Sequence, residues 1–133
     1  MSTVTEPQNV AVVRGVYEAL GRGDLDELGR LLSPGITLLV PGRSTLAGLY
    51  DGRDAVFGFL GAMQAAAGGT YRAELRDLFA SDTQVVAVHK GTGTRGDKTL
   101  AADAALVFEV SGDMVAAITV HQQRQDGWDE FFS

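Results

Sequence analysis

Pro41-Gly42-Arg43-Ser44-Thr45-Leu46-Ala47-Gly48-Leu49-Tyr50-Asp51-Gly52-Arg53-Asp54-Ala55-Val56 is where this chain changes its periodicity. Before it the apolar residues recur at helical spacing; after it, once one more helix has ended, they alternate as in strands. Pro41-Gly42 closes a short apolar strand, Ile36 to Val40, because proline lacks the N–H that a continuing ladder needs. At the other end Asp51 can cap a helix from about Gly52 to Ala67, with Val56, Phe57, Phe59, Leu60 and Met63 on its buried side and Gly68-Gly69 to stop it.

Upstream, Thr5 is the expected N-cap of an opening helix, with Glu6 and Pro7 in its first turn and Val10, Val13, Val16, Tyr17 and Leu20 along one face. That helix should end near Gly21 to Gly23. Asp24 then caps a second helix whose Leu25, Leu28, Leu31 and Leu32 form a stripe, stopped by Ser33-Pro34-Gly35. Downstream, Tyr71 to Phe79, Val85 to Arg95, Thr99 to Val110 and Met114 to Gln123 read as strands, broken at Ala80-Ser81-Asp82, Gly96-Asp97 and Ser111-Gly112. Helices first and an antiparallel meander after them give an α+β class, in one domain over residues 1–133 with residues 1–7 as a flexible lead.

If Gly96-Asp97 and Ser111-Gly112 are two-residue hairpin turns, His89 lies opposite Ala104, Ala104 opposite Thr119, and Ala102 opposite His121. Alternation then puts Ala87, His89, Gly91, Ala102, Ala104, Leu106, Ala117, Thr119 and His121 on one face. Val86, Val88, Lys90, Asp103, Ala105, Val107, Ala116, Ile118 and Val120 fall on the other, with Lys90 and Asp103 opposed as an ion pair. Two apolar faces mean that both are covered. The small-residue face with both histidines is assigned to a cavity under the helices, and the β-branched face to contact with a second copy in a homodimer.

At 45% hydrophobic and 133 residues, the chain can bury one core and enclose one cavity. A net charge of -6, with eleven unclustered Lys and Arg, repels phosphate backbones, so nucleic acid is not an expected partner. With no cysteine there is no disulfide, thiolate nucleophile or Cys-ligated zinc, and chemistry falls to His, Tyr, carboxylates, Arg or water. No apolar run approaches the ~20 residues of a membrane span. Met1 to Gln8 lacks the pattern of a signal peptide, so a soluble, cytoplasmic protein without a membrane partner is expected.

His89 and His121 are the only histidines and the first candidates for proton transfer, each with a structural role as its alternative. From standard strand spacings they stand ~12 Å apart, too far to share one zinc, and no third ligand offers itself, so no metal is expected. Tyr17 can point its phenol into the cavity to meet a carbonyl or oxyanion, or serve as a core aromatic with its hydroxyl satisfied by backbone. Gly91-Thr92-Gly93-Thr94-Arg95-Gly96 lacks the Lys-Ser/Thr ending and the following helix of a phosphate loop, and reads as a hairpin arm. Asp24, Asp26 and Glu27 cap a helix and complement its dipole.

The opening stretch resembles the signature of the SnoaL-like branch of the nuclear transport factor 2 superfamily. The helix pair from Val10 to Leu32, the helix from Asp54, the late strands and the closing Trp128-Asp129-Glu130-Phe131-Phe132 follow in the family's order. The resemblance covers nearly everything after Gln8 and implies a cystatin-like conical cup, three N-terminal helices packed on a curved, mainly antiparallel sheet. It implies a small apolar or polycyclic ligand, no cofactor, and one of three roles: polyketide cyclase-like or other cofactor-free acid–base chemistry, non-catalytic binding, or a dimeric assembly domain with a filled cup.

In that frame His121 takes a pocket-lining position, Thr119 joins Tyr17 in holding an oxygen, and Arg43 or Arg53 can hold a carboxylate or phenolate, with a salt-bridged tether of the loop near the helix start as the alternative for Arg53. Tyr50 and Trp128 become rim and lid aromatics or, equally, core packing, and Val40, Phe59, Ala104, Leu106 and Ala117 complete the lining. Ketosteroid isomerases of the same superfamily use an Asp base and a Tyr–Asp oxyanion hole. The corresponding positions here are Val40, Val16 and Ala104, so that route to steroid isomerisation does not carry over. Nor do a relative's His near Leu106 and the acidic residues before the closing segment, where this chain has Gln122-Gln123-Arg124-Gln125.

Overall fold

The computed structural model describes residues 6–133, so the Thr5 cap lies outside the described residues. Helix α1 (Gln8–Arg22) buries Val10, Val12, Val13, Val16 and Ala19, and ends where Gly23, at φ 66°, turns its N–H back onto the carbonyls of Ala19 and Leu20. Helix α2 (Leu25–Leu31) begins as its sequence dictates: the Asp24 carboxylate accepts from the Glu27 N–H at 3.1 Å. Strand β1 (Leu32–Val40) follows without a break and takes in Ser33-Pro34-Gly35, which do not form a separate stop. Pairing shifts register between Leu32 and Thr37, so the proline sits in an irregular part of the strand where its missing N–H costs no ladder bond.

Part of the supposed loop is also strand. β2 (Gly48–Asp51) pairs with β1 through Leu49 opposite Leu39, and Asp51, opposite Thr37, ends this strand without capping the next helix. Helix α3 (Arg53–Ala66) starts from Gly52 with no side-chain cap and buries Val56, Phe59 and Met63. The Arg53 guanidinium donates to the Gly29 carbonyl at 2.8 Å, tying α3 to α2 through a backbone oxygen. Strands β3 (Arg72–Ala80), β4 (Gln84–Arg95), β5 (Lys98–Ser111) and β6 (Met114–Gln122) complete the sheet, and a fourth helix, α4 (Gln125–Phe131), closes the chain.

The sheet has six strands in the order β2-β1-β6-β5-β4-β3, with β1 and β6 parallel and every other pair antiparallel. The expected α+β cone is therefore the observed one, with α4 added. Among the described residues no helix is long and apolar enough to cross a membrane.

The final hairpin corrects the expected register. β4 and β5 pair as their turn implies, His89 opposite Ala104 and Lys90 opposite Asp103. The β5–β6 turn instead has Ser111 opposite Met114, moving partners by an even step that leaves the faces unchanged. Between Val110–Val115 and Glu109–Ala117 one residue, Ala116, is left over as a bulge, and this odd step turns the rest of β6 over. Ala104 thus faces Gln122, and His121 faces Ala105 on the outer side. His121, Thr119 and Ala117 leave the cup; Ile118, Val120 and Gln122 enter it.

On the outer face one row crosses every strand: Phe79, Val86, Val107, Thr119, Leu39 and Leu49 are successive register partners. None of the six is buried, and Leu49 and Phe79 are 65% and 59% exposed.

Candidate functional site

The concave face of the sheet and helices α1 to α3 enclose a cavity of about 110 Å3. Its walls are apolar: Val16 and Leu20 from α1, Phe59 and Met63 from α3, Leu106 and Phe108 from β5. Leu20 is 39% exposed, placing it where the lining meets the surface. No Asp, Glu, Lys or Arg is among the described lining residues. The polar contributions come from Tyr17, His89, Tyr71, Gln122 and Trp128.

Tyr17 and His89 meet across the cup. The phenol oxygen lies 2.6 Å from Nδ1, and the rings are edge-on with centroids 5.6 Å apart. Helical spacing on α1 turns Tyr17 to the same side as Val13 and Val16, and strand alternation turns His89 to the same side as Ala87. Burial, only partly opposed by the Asp103 charge, lowers the His89 pKa to about 4, so the imidazole is neutral at neutral pH. Burial, with Tyr71 nearby, drives the Tyr17 phenol far above its ordinary range, so it keeps its proton. Between a phenol and a neutral imidazole the phenol is the stronger acid and the ring nitrogen the stronger base. Tyr17 therefore donates to Nδ1, which leaves the ring proton on Nε2.

Tyr71, whose phenol burial pushes up to about 12, lies over Gly91. A Cβ on Gly91 would stand 2.6 Å from the Tyr71 hydroxyl and 3.2 Å from its ring. Gly91→Ala is thus expected to tilt a ring that is only 7% exposed, lowering stability by ~1–3 kcal/mol in a urea titration.

Trp128 is 3% exposed, and its Nε1 has no hydrogen-bond partner among the described residues. The lining includes Val40, Phe59, Leu106 and Trp128 as expected, with Ala104 buried on the same face. Other expectations are corrected. Arg43 is exposed and outside the lining, since the loop carrying it runs along the surface. For Tyr50 the packing alternative is the observed one: its hydroxyl donates to the Leu46 carbonyl at 2.7 Å and its ring packs on Phe59 outside the lining. His121, Thr119 and Ala117 are on the far side of the sheet because of the Ala116 bulge. Gln122 was missed for the same reason, since nothing in the residue pattern marks Ala116 as extra.

A SnoaL-like domain model matches residues 13–118, and this chain belongs to that family. The uncharacterized protein Rv0034 of Mycobacterium tuberculosis is 34% identical over 117 residues, covering 87% of this chain and 89% of the relative. The solved structure of Bal32a, from a soil-derived mobile gene cassette, is 35% identical and superposes with a TM-score of 0.92 over 95% of this chain and 97% of its own. A putative polyketide cyclase from Xanthomonas campestris shares the fold at 23% identity, with a TM-score of 0.74 over 95% of this chain and 97% of that one.

Proposed function

We propose that this chain binds a small neutral molecule in its cup, and that the Tyr17–His89 pair meets the ligand's oxygen through the His89 Nε2–H. The observation that carries this reading is a hydrogen-bonded acid–base pair with a cavity, not packed side chains, beside it. A filled assembly domain would have no use for that space. A neutral imidazole can donate to a carbonyl, or to charge developing on it, without the cost of burying a cation.

Size and charge narrow the ligand. Pockets for drug-sized molecules run to ~300 Å3 or more, whereas a dry apolar cavity of ~150 Å3 admits benzene. At about 110 Å3 the cup suits a single ring or a short branched chain, and a polycycle would need the helices to part. With no cation among the described lining residues, a carboxylate or phenolate meets no counter-charge from them, so a ketone, aldehyde, ester or ether is the fitting class.

The superfamily resemblance and the polyketide cyclase neighbour support cofactor-free chemistry at a carbonyl, with Tyr17 and His89 polarising the oxygen. The lining offers no carboxylate to abstract a proton, and this favours binding without turnover as the second reading. In ligand-observed NMR against small ketones, phenols and terpenoids, Tyr17→Phe with His89→Leu, which removes every donor of the pair, should weaken any hit about tenfold, the value of one buried hydrogen bond. Affinity unchanged in the double variant would overturn the reading. Consumption of a hit by the wild type, lost in the double variant, would establish the enzyme.

We further propose that the outer row from Phe79 to Leu49 joins two copies as a homodimer. Six strands at ~4.8 Å give a face ~24 Å wide, and nine residues at ~3.4 Å make it ~30 Å long, close to the ~800 Å2 per partner of a stable interface. The row runs from one sheet edge to the other, so a two-fold axis through its centre lays it on itself.

A further inference from the structure

Gly91 and Gly93, the two glycines on the cup side of β4, are the bed on which Tyr71 lies. A Cβ built on Gly93 would stand 3.5 Å from the Tyr71 Cα, and one built on Gly91 would stand 2.6 Å from the Tyr71 hydroxyl oxygen. Alternation puts both positions on the same face as Ala87 and His89. The side chain therefore runs along the cup wall from Gly93 toward Gly91, with its O–H directed at the next residue of that face, His89. Gln64 of α3 fixes the backbone from which it starts: the amide donates to the Tyr71 carbonyl at 2.9 Å and accepts from the Tyr71 N–H at 3.2 Å. Trp128 closes on the ring edge-on, at 6.2 Å.

Tyr71 is 7% exposed and lines the cavity, and its hydroxyl has no hydrogen-bond partner among the described residues. The oxygen is not walled in, because the one side-chain atom among them that is both closed off and unpaired is the Trp128 Nε1. Burial pushes the phenol up to about 12, so it keeps its proton and offers a donor. An O–H left unpaired in an apolar wall has given up its water, and a ligand oxygen restores what that removed.

Resting on the cup as a ligand site, we propose that the Tyr71 hydroxyl is a second recognition point, separate from the Tyr17–His89 pair, and that the ligand carries two acceptor oxygens. His89 and Gly91 are neighbours on the cup face, ~6.8 Å apart along the backbone. The two donors thus stand side by side along β4 and suit oxygens a few bonds apart, as in a neutral keto ether. A plain ketone of the same shape satisfies His89 and leaves Tyr71 unpaired.

The test compares 4-methoxy-2-butanone, which carries an ether oxygen beyond its carbonyl, with 2-hexanone, which has a methylene in that oxygen's place. The chain has three tyrosines, so carbon-13 at Cζ gives three signals, assigned by replacing each with phenylalanine. In the wild type the keto ether is expected to move the Tyr71 Cζ signal and 2-hexanone to leave it in place, because Cζ carries the hydroxyl and follows its hydrogen bonding. Tyr71→Phe, which keeps the ring and drops the donor, should weaken the keto ether about five- to tenfold and leave 2-hexanone unchanged. If the keto ether moves the cavity methyls and is weakened by Tyr17→Phe with His89→Leu but not by Tyr71→Phe, the second point is lost and the cup remains a ligand site. The same follows if both molecules move the Tyr71 signal alike. If neither moves a cavity methyl, the cup reading falls and this proposal with it. The Cζ shift is read on the wild type, so a poorly folded variant cannot hide the answer.

Discussion

Between pH 7 and pH 4.5 the wild type is expected to lose about 2–3 kcal/mol more stability than His89→Gln, read as the difference in their urea midpoints at the two pH values. The sign follows from where the proton is harder to place. In the unfolded chain an ordinary histidine titrates near ~6.5. In the folded protein His89 is held near about 4, because a cation there would lose its hydration inside an apolar wall. Through that interval the unfolded state binds the extra proton and the folded state does not. Stability is therefore complete above the unfolded value and falls as the pH drops, until the folded value is reached and the loss stops growing. Carboxylates also titrate in this range, and comparison with the variant cancels their share. The His89 ring protons, followed directly by NMR, should stay in place to near pH 4. A midpoint near the ordinary value would mean that the ring is wetter than its 7% exposure implies, and the neutral Nε2–H donor would lose its basis.

Most of the architecture could be read from the residues because each element there is set by local chemistry. The Asp24 cap, the Gly23 ending of α1, the apolar side of α3 and the Gly96-Asp97 turn need no distant partner to be recognised. The elements that escaped are those whose signal is not local. β2 is only four residues long and exists because β1 lends it an edge, and α4 is about two turns, aromatic-rich, and stabilised by Arg95 and Lys98 beside the β4–β5 hairpin turn. At the site the same division holds. Tyr17 and His89 were legible because helix and strand periods each point a side chain one way, whereas their contact required the tertiary fold. His121 was misplaced by Ala116 alone, since a one-residue bulge leaves composition and alternation intact and inverts everything beyond it. Trp128 was recognised as an aromatic at the lid, but its unpartnered N–H belongs to the packing and not to the sequence.

If the outer face joins two copies as proposed, Val107→Asp is expected to convert that dimer into a folded monomer, seen as a halved mass in sedimentation equilibrium with the circular dichroism spectrum retained. Val107 sits mid-row, between Val86 on β4 and Thr119 on β6, and its side chain points away from the cup, so the substitution touches neither the core nor Tyr17 and His89. In one subunit the new carboxylate faces water and costs little. In a two-fold interface every substitution enters twice, so two carboxylates would be buried near the axis with no cation of the row to meet them. Like charges so placed cost several kcal/mol, and ~4 kcal/mol is already about a thousandfold in dissociation constant. His121→Ala serves as the comparison, because His121 lies on the same face opposite Ala105 but carries no apolar area of the row; it should leave the mass of the dimer unchanged. A wild type that sediments as a monomer at 100 µM, or a Val107→Asp protein that still dimerises, would remove the outer face from the account.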